Sequence, residues 1–190
     1  MPDALNVPDA RIYEILPDGT ELVIRPLCSN DRELLRDGFA LLGEDSRYQR
    51  FFTPKLTLRD DELNFLSELD GDEHHALCIV AWDEQGHELP VGVARYVRIA
   101  PRSEIAEAAI TIVDSMQRRG LGKLLLRRLA DAAYRRGVRR FRADVLGTNA
   151  GALRLVRTLD ETARPRMIEG GIEQIEVVLP PPSDEPRPIV

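Results

Sequence analysis

The chain reads as a single α/β domain built on a mixed, mostly antiparallel sheet, and three observations carry that expectation. Three strand-like runs, His75–Trp82, Val91–Ile99 and Ile105–Val113, follow one another through short polar links, as an antiparallel meander requires. In the third, Ala109, Thr111 and Val113 share one face and Ile110 and Ile112 the other, which is the pattern of an interior strand. An amphipathic helix, Gly120–Arg136, then forces a crossover, so the strand Val138–Leu146 must lie parallel to Ile105–Val113.

Taken in order, residues 1–10 are polar, carry two prolines and read as a loose tail. Arg11–Leu16 and Thr20–Leu27 are strands joined by a Pro17-Asp18-Gly19 turn. In the second, apolar Val23 between Glu21 and Arg25 fits a half-buried or edge strand. Ser29-Asn30-Asp31 caps a helix to about Leu42. Ser46–Phe52 reads as a short hydrophobic plug with solvated Arg47 and Arg50. Thr57–Leu69 is helical, with Asp60, Asp61 and Glu62 in the first turn, where the helix dipole favours acids. Leu121, Leu124, Leu125, Leu129 and Ala132 form the apolar stripe of the long helix, opposite Arg127, Arg128, Arg135 and Arg136. Asn149–Leu159 is a short helix and Ile172–Leu179 the last strand, after Gly170-Gly171. The domain thus runs over residues 11–179, and the proline-rich stretch 180–190 reads as a second tail.

Charge narrows the function classes. A net charge of -6 argues against a nucleic-acid binder. The charge is nevertheless uneven: Arg118–Arg142 holds ten Lys/Arg against one acid, Asp131, and so carries +9. A basic patch on an acidic body points to a small polyanion. Cys28 and Cys78, each beside apolar residues, read as reduced, buried thiols. Neither they nor His74, His75 and His87 have metal-ligand spacing, so no metal is expected. No apolar run approaches the about 18 residues of a membrane span and no signal pattern opens the chain, so a cytoplasmic protein without membrane contact is expected.

The polyanion site falls at Gln117-Arg118-Arg119-Gly120-Leu121-Gly122-Lys123, where a strand ends and the long helix begins. Helix-start N–H groups lack intrahelical partners, the glycines clear side chains away, and the dipole and three cations add positive charge. A bare Gly-x-Gly is as compatible with a plain strand-to-helix turn; the strand, helix and cations around it favour a diphosphate cradle. The Walker phosphate loop and the dinucleotide fingerprint both fail on spacing.

Gln117–Gly122 resembles the Gln/Arg-x-x-Gly-x-Gly/Ala acyl-CoA motif of the GNAT N-acetyltransferase superfamily, and element order extends the resemblance from about Thr20 to about Val178. Ser46–Phe52 and Ala106-Glu107 are similar to the bacterial protein-lysine acetyltransferase branch, and the resemblance implies for Ser46–Phe52 a substrate-contacting place on the acceptor side of the cleft as the alternative to a plug. The resemblance implies a GNAT fold whose fourth and fifth strands, the parallel pair, splay apart with helices around them. Acetyl-CoA enters that gap as cosubstrate, and its pantetheine arm pairs with strand backbone. It implies direct acetyl transfer to an amine, a protein lysine ahead of a small amine. Backbone N–H groups near Ile112 and Val113 stabilise the oxyanion, Gln117, Arg118, Arg119, Gly120, Leu121, Gly122 and Lys123 hold the diphosphate, and Asn149 caps its helix close to the CoA arm. GNAT proteins are often dimers, so a homodimer is compatible with the resemblance.

Glu107 is the candidate general base: burial among apolar neighbours would ready it for proton uptake. The alternative is an exposed edge residue paired to an arginine such as Arg95. The tyrosine that many GNAT enzymes place seven residues after the asparagine, as acid for the leaving thiolate, is Val156 here, and Tyr48 and Tyr134 are no clear substitutes. That departure keeps open a second class, an acyl-CoA-binding sensor with little turnover.

Overall fold

The computed structural model describes residues 11–182. The tail expected at 1–10 and most of that at 180–190 lie outside the described residues. Strands β1 (Ile12–Ile15), β2 (Glu21–Pro26), β3 (His74–Trp82), β4 (Glu88–Arg98), β5 (Ile105–Ile112), β6 (Arg140–Leu146), β7 (Arg166–Glu169) and β8 (Ile172–Val178) join in one sheet. Their order is β1-β2-β3-β4-β5-β6-β8-β7, and only the β5–β6 pairing is parallel. The fold is the expected mixed α/β sheet. In this chain's count the parallel pair is fifth and sixth rather than fourth and fifth, because the short β1 precedes the others.

Helices cover both faces of the sheet. α4 (Leu121–Arg135) buries Leu121, Leu125 and Leu129 against Ile24, Leu77, Ile79 and Tyr96. Apolar positions recurring every three to four residues place that stripe on one side, and burial of each such leucine contributes roughly 2 kcal/mol. On the opposite face α1 (Arg32–Ala40) and α3 (Asp60–Ser67) set Leu35 and Leu63 over Val23, Cys78 and Val80. The alternation of β2 and β3 thus feeds two cores. α5 (Ala150–Val156) lies near a smaller third cluster of Ala163, Ile175 and Val177, against which Val156 packs.

Four expectations need correction. β2 is an interior strand with Leu22 to Arg25 buried, because β1 pairs along its outer side and Arg25 is neutralised by Asp31 and Glu88. Residues 44–51, assigned no element from the sequence, form a helix, α2 (Glu44–Phe51). β7 was not foreseen; it forms a hairpin with β8 through Gly170-Gly171. Cys28 is exposed; Cys78 is buried, and burial pushes its thiol up to about 12.

Candidate active site

The sheet opens where β5 and β6 part. Their pairing runs only through Ile105↔Arg140, Ala106↔Phe141 and Glu107↔Arg142. Beyond Glu107, β5 stays paired to β4 as far as Ile112, while β6 stays paired to β8 as far as Leu146. Two well-anchored strands therefore diverge, and the gap between them is part of a cavity of about 440 Å³. That volume is in the range of small-molecule sites.

The β5 wall turns backbone groups toward the gap. The Val113 N–H donates to the Val91 carbonyl at 2.9 Å, on the β4 side. Backbone groups of successive strand residues point to opposite edges, so the Ile112 N–H is directed toward the gap. Of the two expected oxyanion donors, only Ile112 is thus available. Its carbonyl, on the same edge, accepts from Gln117 Nε2 at 3.1 Å. Gly92 lies against this point: a Cβ there would stand 2.9 Å from the Thr111 carbonyl oxygen and press on the Ile112 side chain.

The start of α4 lies beside the gap: Gln117 lines the cavity, whereas residues 118–123 do not, and Gly122 stands against Leu155, which does. Gly120 sits at φ +82°, the left-handed conformation glycine tolerates, and no side chain caps the helix. The first turn closes with Leu124 N–H to the Gly120 carbonyl, so the N–H groups of Leu121, Gly122 and Lys123 precede the helical ladder. Arg118 is also left-handed, at φ +63°, a strain typical of functional turns. Gln117, Arg118, Arg119 and Lys123 are exposed. Arg119 is held 2.5 Å from Asp18 in the β1–β2 turn; hydrogen bonds from Thr20 and then Arg119 hold that carboxyl down at about 2.

α2 ties the two walls together. Ser46 Oγ accepts from Gln117 Nε2 at 3.2 Å, and Asp114 accepts from the Gly43 N–H at 3.1 Å. On the other side Asn149 Nδ2 donates to Gln49 Oε1 at 3.1 Å, while Asn149 Oδ1 caps α5 by accepting from the Ala152 N–H at 2.9 Å. The cap expected at Asn149 is present, and the residue lines the cavity.

Glu107 lines the cavity at the point of divergence. It is exposed rather than enclosed by apolar neighbours, and among the described residues no ion pair joins it to Arg95. The exposure of the second reading is found without its pairing: among the described residues the Glu107 side chain lines the cleft with no ion-pair partner. Val156 also lines the cavity, whereas Tyr48 lies exposed and Tyr134 packs against the core under Arg139. No tyrosine, cysteine or histidine lines the cavity among the described residues.

Sequence reasoning missed the cationic end of the cavity. Arg95 of β4 and Arg50 of α2 both line it, 45 positions apart in the chain. Arg95 is 5% exposed, and burial followed by the charge of Arg50 pushes it down to about 9. Alternation along β4 as a core strand is the signal that an arginine at this position breaks.

A mixed sheet that opens between two parallel strands beside an uncapped helix start is the architecture of an acyl-CoA-dependent transferase. The chain belongs to the acetyltransferase (GNAT) family, whose model matches residues 41–160. It is 32% identical over 146 residues to a curated acetyltransferase of Pseudomonas aeruginosa, covering 77% of this chain and 75% of that one. It is 29% identical over 164 residues to acetyltransferase Pat of Mycolicibacterium smegmatis, covering 86% of this chain and 47% of that one, so it spans about half of that relative's length. The GNAT domain of S. lividans PAT superposes with a TM-score of 0.76 at 27% identity, over 89% of this chain and 97% of that domain. Among the described residues, no helix is long and apolar enough to cross a membrane, and no group of His, Cys, Asp and Glu side chains is disposed to hold a metal.

Proposed function

We propose that the chain transfers the acetyl group of acetyl-CoA directly to an amine, a protein lysine in first place and a small amine in second. The observation that carries this reading is the loss of β5–β6 pairing immediately after Glu107, in a cleft beside the uncapped helix start at Gly120–Lys123. The resemblance to acetyltransferases favours turnover over a purely sensing role. In this reading the enzyme is cytoplasmic.

The residues take the following roles. Leu121, Gly122 and Lys123 N–H groups, with the Arg118 and Lys123 cations, hold the diphosphate of acetyl-CoA. Glu107 removes a proton from the attacking amine, directly or through one water. As the amine nitrogen bonds to the thioester carbon, the Ile112 N–H meets the developing oxyanion. The carbon–sulfur bond then breaks and the coenzyme leaves as thiolate without a side-chain acid, since among the described residues no phenol or thiol lines the cavity.

The test is a panel of amines, lysine peptides and proteins with acetyl-CoA, followed as thiol release. Glu107→Gln is expected to lower kcat about 10²-fold and to flatten the acidic limb of the pH–rate profile. An unchanged profile would remove Glu107 from the mechanism.

A further inference from the structure

The cavity holds two guanidinium groups that the chemistry above does not use. Arg95 is almost completely buried, and its bonds go to neutral acceptors: His74 Nε2 at 3.2 Å and the Leu66 carbonyl at 3.1 Å. Burial, then the charge of Arg95, holds His74 down at about 4, so the ring is neutral near pH 7. Arg50 lies over the Phe51 ring at 5.1 Å. Neither arginine meets a carboxylate among the described residues. The other cationic side chain lining the cavity, Arg142, does: it is 3.0 Å from Glu176. Elsewhere in the fold, buried arginines are matched by acids, Arg25 by Asp31 and Arg98 by Asp72. A buried guanidinium beside a second, half-buried one, with no carboxylate against either, is costly, and an entering anion would relieve that cost.

Register fixes which ligand brings the anion. Arg95 stands opposite Ala109 and Val97 opposite Glu107. Cross-strand partners share a face, so Arg95 and Glu107 are diagonal neighbours on one face of the β4–β5 ladder, a spacing of about 7–8 Å between backbones. An amine delivered to Glu107 thus has the Arg50–Arg95 pair beside it. Resting on the acetyl-transfer reading, we propose that Arg50 and Arg95 bind a carboxylate carried by the acyl acceptor. The preferred acceptor is then an amine accompanied by an acid group, such as an ω-amino acid or a lysine next to an acidic residue. Guanidinium geometry suits carboxylates in particular, through paired N–H donors.

The experiment uses matched acceptors with acetyl-CoA: ω-amino acids against alkylamines of equal length, and peptides with lysine beside glutamate against the same peptides with glutamine. The acid-bearing member of each pair is expected to show kcat/KM about tenfold higher, mostly through KM. Arg50→Gln is expected to abolish the preference and Arg50→Lys to restore part of it; Arg50 is the target because removing buried Arg95 endangers folding. Equal use of both members by the wild type would overturn the proposal while leaving acetyl transfer intact. A preference for succinyl-CoA over acetyl-CoA with no preference among amines would also overturn it, by placing the acid on the acyl chain. If no amine is acetylated, the acetyl-transfer reading fails instead. Calorimetry of the ω-amino acids then decides the arginine site alone: binding weakened about tenfold by Arg50→Gln supports it, and no binding overturns it.

Discussion

Arg25 and Asp31 show how one pair of residues can hold a strand in the interior. Each is 7% exposed, and the guanidinium donates two bonds of 2.8 Å to the carboxylate. Burial would raise the Asp31 pKa, but the Arg25 guanidinium and the Cys28 N–H outweigh it and leave it below its usual value of 3.8. A carboxyl with a depressed native pKa stabilises the fold above its unfolded pKa, and that contribution is lost as pH falls through the native value. Asp31→Asn is therefore expected to cost about 2 kcal/mol at pH 7, because it removes a charged hydrogen-bond partner and leaves buried Arg25 with Glu88 as its remaining counterion. In urea titrations the deficit should shrink below about pH 4. At Gly120 the constraint is conformational. Alanine at φ +82° is disfavoured by about 1–2 kcal/mol. Gly120→Ala should lower the denaturation midpoint accordingly and weaken coenzyme A binding by calorimetry, because the amides that follow would be re-aimed.

At the level of elements, α4 was legible because its leucines repeat with the helical period and all bury. The β5–α4–β6 crossover was legible for the same reason, and with it the positions of Glu107, Ile112, Gln117 and Asn149. α2 was not. None of its eight residues is buried, so no hydrophobic period marks it. Its bonds to Gln117 and Asn149 reach across 71 and 100 positions, where local patterns carry no information. β7 is similarly exposed at every residue. The Arg50–Arg95 pair was hidden because α2 brings one member to the other. If α2 is held by those side-chain ties, the double variant Ser46→Ala, Gln49→Ala should lose hydrogen-exchange protection in α2 while the central strands keep theirs. The KM for acetyl-CoA should rise with a thermal midpoint nearly unchanged, since exposed hydrogen bonds each contribute only about 1 kcal/mol.

For the molecule as a whole, the charge distribution bears on how the proposed cosubstrate would be met. The chain carries -6, yet the segment Arg118–Arg142, which begins beside the cleft, is strongly basic. Such a separation draws a polyanion to one face while the remainder repels it. Arg119 is engaged by Asp18, and Arg140 and Arg142 by Glu176, so only part of that basic charge is unengaged. A ligand that binds only the folded state at a hundred times its Kd adds about 2.7 kcal/mol of stability. For a domain of this size that is a rise in Tm of about 5–10 °C. Coenzyme A should produce such a shift, and its 3′-dephosphorylated form a similar one if the amides of Leu121, Gly122 and Lys123 hold the diphosphate. Raising salt to about 1 M, where the screening length is about 3 Å, should reduce the shift without removing it. Complete loss in salt would mean that exposed cations alone hold the ligand. Survival of most of the shift would assign the binding to the backbone turn at Gly120, where β5 gives way to α4.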